Sequence, residues 1–148
     1  MPTSKAVIDA NIGIYTVINT PHSAGAVKVM TYFQRQEISL FAPRLWWFEV
    51  TSVVHRYLFD RVITKNVADE ALDILLTDLI IQPVENLYRS AFQWASRLGQ
   101  KPAYDGFYLA AAESLGAEFW TADQPLVNRS RQIGLSWVRW MGEITADE

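Results

Sequence analysis

The stretch that most restricts how this chain can fold runs from Tyr104 through Asp105, Gly106, Phe107, Tyr108, Leu109 and three alanines to Gly116, then through Glu118, Phe119, Trp120, Thr121 and Ala122 to Asp123. It reads as a helix followed by a strand. Pro102 lies just before the first turn, Asp105 lies in that turn where a carboxylate favours the positive end of the helix dipole, and Gly116 is placed to stop the helix. A helix rising ~1.5 Å per residue from Asp105 to Leu115 covers roughly 16 Å, and a strand at ~3.3 Å per residue returns a similar distance. Asp105 and Asp123 are therefore expected at the same edge. In an α/β layer the start of a helix and the C-terminal end of the next strand share one side of the sheet, where such folds bind ligands.

The 148 residues suit one domain, 1–148, with a sizeable core. Half the residues are hydrophobic, a fifth are charged and the mean hydropathy is +0.03, which fits a packed soluble protein and excludes a disordered one. No apolar run reaches the ~18 residues of a membrane span. Met1 to Lys5 leads straight into an apolar strand pattern and is expected to leave no room for a secretory leader. The absence of cysteine excludes disulfides and thiolate metal sites, and fits a cytoplasmic protein. A net charge of −3 provides no global basic field for nucleic acid, although acids gathered around bound cations would be neutralised where it matters.

Lys5 to Ile8 reads as a first strand with Asp9 at its C-terminal end, followed by a helical segment from Asn11 to Ile18. A partly amphipathic helix is expected over His22 to Gln36, and a second strand over Ile38 to Phe41, ended by Ala42 and Pro43. Arg44 to Phe59 is the most apolar helix, with apolar side chains around nearly its whole circumference. Such a helix needs more than one packing surface, so one side is expected to meet the sheet and another a second copy of the chain or a partner. The six tryptophans read mostly as core, with Trp46 or Trp47 as candidates for that interface. Glu49 is the anomaly in this helix, near its N-terminus.

Ile63 to Leu79 reads as an amphipathic helix, Ile80 to Val84 as a third strand, and Asn86 to Leu98 as a helix capped by Asn86 and stopped by Gly99. After the helix and strand of the first paragraph come a helix from Pro125 to Ile133 and a strand from Ser136 to Met141. The acidic tail 143–148 is expected to fray. Alternating strands and helices predict a three-layer α/β/α fold around a central, mostly parallel sheet.

On this layout Asp9, Glu49, Asp105 and Asp123 all project to one rim. Four carboxylates in a low-dielectric cleft repel, so either their pKa values rise or cations bind. Oxygen ligands without Cys or His select hard ions, Mg²⁺ or Mn²⁺. Such ions activate water and stabilise charge on a phosphodiester, which is the chemistry of nucleic-acid cleavage. Asp9 and Asp105 are the candidates for primary ligands, with Glu49 and Asp123 completing the site. Thr121 and Asn11 either orient ligands or satisfy backbone groups in their own turns.

Each acid also has a plainer reading. Asp105 is placed as a helix-terminus acid, Asp123 as the cap of the last helix, Asp9 as a turn residue, and Glu49 as part of a solvent-facing stripe with Arg56. Glu49 is the hardest to explain in this way, because an unpaired buried carboxylate is costly. His22 and His55 lack metal-site spacing, and no Gly-rich phosphate loop is present. Arg44, Lys101 and Arg129 fall near the acidic rim, either as phosphate contacts or as solvated charges.

The ordered set Val7-Ile8-Asp9-Ala10-Asn11, Trp47-Phe48-Glu49-Val50-Thr51-Ser52, Tyr104-Asp105-Gly106-Phe107-Tyr108-Leu109-Ala110-Ala111-Ala112 and Trp120-Thr121-Ala122-Asp123 resembles the PIN-domain family, and in particular the VapC-type toxins of toxin–antitoxin pairs. The resemblance spans nearly the whole chain. It implies a compact α/β/α domain, Mg²⁺- or Mn²⁺-dependent ribonuclease activity, homodimerisation and inhibition by a small antitoxin. It also implies that Asp9, Glu49, Asp105 and Asp123 form the metal site, supported by Thr121. Gly106 stands where many members carry Ala, a substitution a first helical turn tolerates.

The competing reading is a catalytically silent module that keeps this fold and acts through a protein partner bound to the aromatic helix. Receiver-type domains would need an adjacent acid pair where Asp9 is followed by Ala10, and haloacid-dehalogenase-like phosphatases a second Asp where Asn11 stands.

Overall fold

A computed structural model describes residues 4–144. Its centre is a five-stranded sheet in the order β3-β2-β1-β4-β5, with every neighbouring pair parallel. The strands are β1 (Lys5–Ile8), β2 (Ser39–Pro43), β3 (Gln82–Val84), β4 (Glu118–Thr121) and β5 (Val138–Trp140). From β1 the chain winds outward through β2 and β3, then returns to lay β4 and β5 on the other side of β1. The switch point therefore falls between β1 and β4, where ligands of open α/β sheets collect beyond the strand C-termini.

The helices are α1 (Ala10–Val17), α2 (Ser23–Arg35), α3 (Leu45–Phe59), α4 (Lys65–Asp73), α5 (Tyr88–Leu98), α6 (Tyr104–Leu115) and α7 (Gln124–Gln132). They cover the sheet on both faces, and β1 shows why its sequence is uniformly apolar. Successive strand residues point to opposite faces. Val7 packs with Trp46, Ala91 and Leu109 from α3, α5 and α6. Ala6 and Ile8 pack with Ala26, Val29 and Phe33 of α2. In β4, Phe119 and Trp120 divide in the same way.

Helices α5 and α6 lie so close that a Cβ on Gly106 would stand 2.3 Å from the carbonyl oxygen of Ala91. Glycine is required there by backbone approach, which a view of Gly106 as a tolerated variation does not anticipate. Helices α5 and α6 both end as expected, on left-handed Gly99 (φ 68°) and Gly116 (φ 60°).

Several boundaries differ from expectation. Helix α5 begins at Tyr88, and Asn86 does not cap it: Asn86 is left-handed (φ 63°), turning the chain between β3 and the helix. β2 continues through Pro43, which pairs with Val84 at the strand's end. The helix expected over 63–79 starts after Thr64, whose side chain accepts from Val67 N, and ends in one wide turn at Ile74–Asp78. Trp46 is fully buried in the core and is not an interface residue, whereas Phe48 and Phe59 on α3 are exposed. Glu143 is held in a short 3₁₀ turn, Met141–Glu143, by Arg139 and Arg131. The remainder of the expected tail, 145–148, lies outside the described residues.

Candidate active site

Asp9 leaves β1 at the switch point and N-caps α1, its Oδ1 accepting from Ile12 N at 3.0 Å. Its Oδ2 accepts from the Thr121 hydroxyl at the end of β4 and from Ala122 N at 3.1 Å. The Asp9 backbone N–H completes the link by donating to Trp120 O at 3.1 Å. Thr121 Oγ1 in turn accepts from Asp123 N at 3.0 Å, and Asp123 caps α7 by accepting from Leu126 N at 3.0 Å. The capping reading of Asp123 is thus correct, and the cap is attached to the Asp9 network through Thr121.

The other two acids arrive from helix starts. Glu49 lies in the second turn of α3, and its Oε1 accepts from Tyr108 OH at 2.6 Å. Asp105 lies in the first turn of α6, and its Oδ2 accepts from Gln100 Nε2 at 2.8 Å. Glu49, Gln100, Lys101, Asp105 and Arg129 line an open cleft of about 710 Å³. Arg44 lies apart from this cleft, its Nε bonded to Glu85 at 2.6 Å. Asn11 is exposed and donates nothing to Asp9. His22 and His55 pack against Tyr15 and Phe59.

The carboxylates feel one another. Burial pushes the Asp9 carboxyl up, its three hydrogen bonds oppose this, and the charge of Asp105 adds to the rise. Glu49 is raised chiefly by burial, opposed by the Tyr108 bond, with Asp9 and Asp105 raising it further. Asp105 is raised by burial and by Asp123, against Gln100 and Arg129. These couplings tie the four acids into one field.

They do not form a ready coordination sphere. Among the described residues, no group of three or more Asp, Glu or His side chains converges on a point that could hold an ion. The reason is visible in the hydrogen bonds: each carboxylate is turned onto its own neutral donor. Glu49, Asp105 and Asp123 use one oxygen each in these bonds, so one oxygen on each is left over. An oxygen-only donor set in which Asp105 raises Asp9 and Glu49 fits a hard divalent cation.

A PIN domain family model matches residues 7–136. The chain belongs to the PIN-domain family. This PIN domain matches no curated protein in sequence. Its fold is similar to that of PAE2754 from Pyrobaculum aerophilum, at a TM-score of 0.65 and 16% identity, covering 95% of this chain and 85% of that one. It is also similar to VapBC2 from Rickettsia felis, solved bound to a DNA fragment from their promoter (TM-score 0.63, 15% identity, 92% and 96% covered). A third similar structure is FitAcB from Neisseria gonorrhoeae (TM-score 0.60, 15% identity, 91% and 95% covered).

Two residues of the site, Tyr108 and Gln100, are absent from the candidates read from the sequence. Tyr108 had a signal, since it follows Asp105 by three residues and so shares its helix face. Gln100 had none, because it sits in the irregular loop between Gly99 and Pro102.

Proposed function

We propose that this PIN domain is a Mg²⁺- or Mn²⁺-dependent endoribonuclease, acting in the cytoplasm as the toxin of a toxin–antitoxin pair. The observation that carries the reading is the gathering of Asp9, Glu49 and Asp105: three partly or fully buried carboxyls, each pushed up by burial, with the charge of Asp105 raising Asp9 and Glu49 further. Such a gathering favours a cation. Asp9 and Asp105 would be its primary holders, with Glu49 and Asp123 completing the shell and Thr121 keeping Asp9 in place. When bound, the cation would activate water and stabilise charge on the phosphodiester. Lys101 and Arg129, which line the cleft with Glu49 and Asp105, are suited to phosphate oxygens.

The structural likeness to VapBC2 and FitAcB supports a small antitoxin as partner, and the exposed aromatic residues of α3 and α5 support a homodimer. The same apolar face favours the second reading, a silent module that works only by binding a protein.

Cleavage of RNA by the purified chain, with Mn²⁺ and with chelator, tests the activity. Asp9→Asn and Asp105→Asn are expected to abolish cleavage; Asn at position 9 still caps α1 through its amide oxygen, and circular dichroism checks that both variants fold. Cleavage that survives chelation, or that both variants retain, overturns the reading. No cleavage of any RNA with either metal favours the silent module.

A further inference from the structure

Asp105 and Tyr108 stand three residues apart on α6, so the two side chains share one face of the helix. From that face the Tyr108 hydroxyl crosses to α3 and donates to Oε1 of Glu49 at 2.6 Å, joining residues 59 apart in the chain. The ring is buried and stacked on Phe119, with centroids 5.3 Å apart and planes 15° from parallel. A phenylalanine would fill this space as well, and a buried hydroxyl costs free energy unless it is bonded. The hydroxyl therefore has a use beyond packing, and its one side-chain partner among the described residues is a candidate metal-holding acid. A further, backbone contact joins the hydroxyl to Ala10 at the start of α1.

We propose that Tyr108 is a positioning residue: by holding Oε1 of Glu49 it leaves Oε2 as the binding oxygen and sets the spacing between Glu49 and Asp105 in which a divalent cation is bound. One face of α6 would then supply both a ligand and the clamp on a second ligand from α3. This rests on the metal-dependent reading above.

The test is Mn²⁺ affinity by titration calorimetry on the full chain, for wild type, Tyr108→Phe, Glu49→Gln and the double variant. Tyr108→Phe keeps the stack on Phe119 and removes only the hydroxyl. Removing the partner that orients a ligand typically weakens metal affinity by roughly 10–100-fold, and that is the loss expected here. In the double variant the Phe substitution is expected to cost nothing beyond Glu49→Gln, because Tyr108 acts through Glu49. As a control, the melting temperature of Tyr108→Phe measured beside wild type shows whether a loss of Mn²⁺ affinity is only a loss of fold. Wild-type affinity in Tyr108→Phe, or full additivity of the two losses, overturns the proposal and leaves the metal-dependent reading standing. A wild-type chain that binds no Mn²⁺ overturns both.

Discussion

The hydroxyl of Thr121 donates to Oδ2 of Asp9 across 112 residues of chain, and both groups are buried. With the Asp9 N–Trp120 O and Ala122 N–Asp9 Oδ2 bonds it closes the switch point, where β1 and β4 diverge into α1 and α7. Thr121 Oγ1 also accepts from Asp123 N, so one hydroxyl links the Asp9 carboxylate to the cap of the last helix. Thr121→Val keeps the shape and removes both functions. A buried polar group that loses its partner costs about 1–3 kcal/mol. We expect a destabilisation of that size in urea, and none in Thr121→Ser. Equal midpoints for Val and Thr would show that the bond contributes nothing.

The raised carboxyls set a pH dependence of definite sign. Where a folded-state pKa lies above the unfolded one, the native state holds more protons between the two values, so stability falls as pH rises through that window. For Asp9, Glu49 and Asp105 the window opens near the ordinary values, 3.8 for Asp and 4.5 for Glu, and extends upward. Metal-free protein is therefore expected to lose stability on going from pH 4 towards neutrality, with Asp9→Asn flattening part of the slope. A saturating divalent cation favours the ionised forms and should reverse the trend. Chemical denaturation along a pH series, with chelator and with Mn²⁺, reads both. A metal-free stability that climbs steadily through this range would contradict the assignment.

Much of this site was legible because its acids also do local work. Asp9 and Asp123 cap helices and Asp105 sits in a first turn, so each left a signal in its own neighbourhood. Alternation of apolar strands with amphipathic helices carried the layer order for the same reason. The partners were hidden wherever they come from distant chain, as Tyr108 does for Glu49 and Thr121 for Asp9. Asn86 misled because a residue that suits a cap also suits a left-handed turn, and only the path from β3 to α5 decides between them.

Gly106 offers a sharper case of tertiary packing overruling local preference. In an isolated helix, Gly→Ala is worth about 1 kcal/mol in favour of Ala. Here the added methyl would meet backbone, the Ala91 carbonyl and Ala95 N at 3.2 Å, neither of which can rotate away. Overpacking of this kind costs typically 1–3 kcal/mol, occasionally more. We expect Gly106→Ala to be destabilising by about 1–3 kcal/mol in denaturant, and to weaken Mn²⁺ binding because Asp105 is the adjacent residue. A more stable Gly106→Ala variant would mean that α5 and α6 can separate without loss.

The last prediction concerns the apolar face of α3. Phe48 and Tyr88 are 72% and 80% exposed, yet they line a single apolar cavity of about 240 Å³ between α3 and α5, next to exposed Phe92. A contiguous patch of this kind is what a soluble monomer rarely leaves open and a homodimer covers. The expected outcome is a dimer in sedimentation velocity, converted to monomer by Phe48→Glu with no loss of secondary structure. A glutamate here puts a charge inside that interface, where an unpaired buried charge costs several kcal/mol. A wild-type chain that sediments as a monomer at high concentration would rule this face out as a self-association surface.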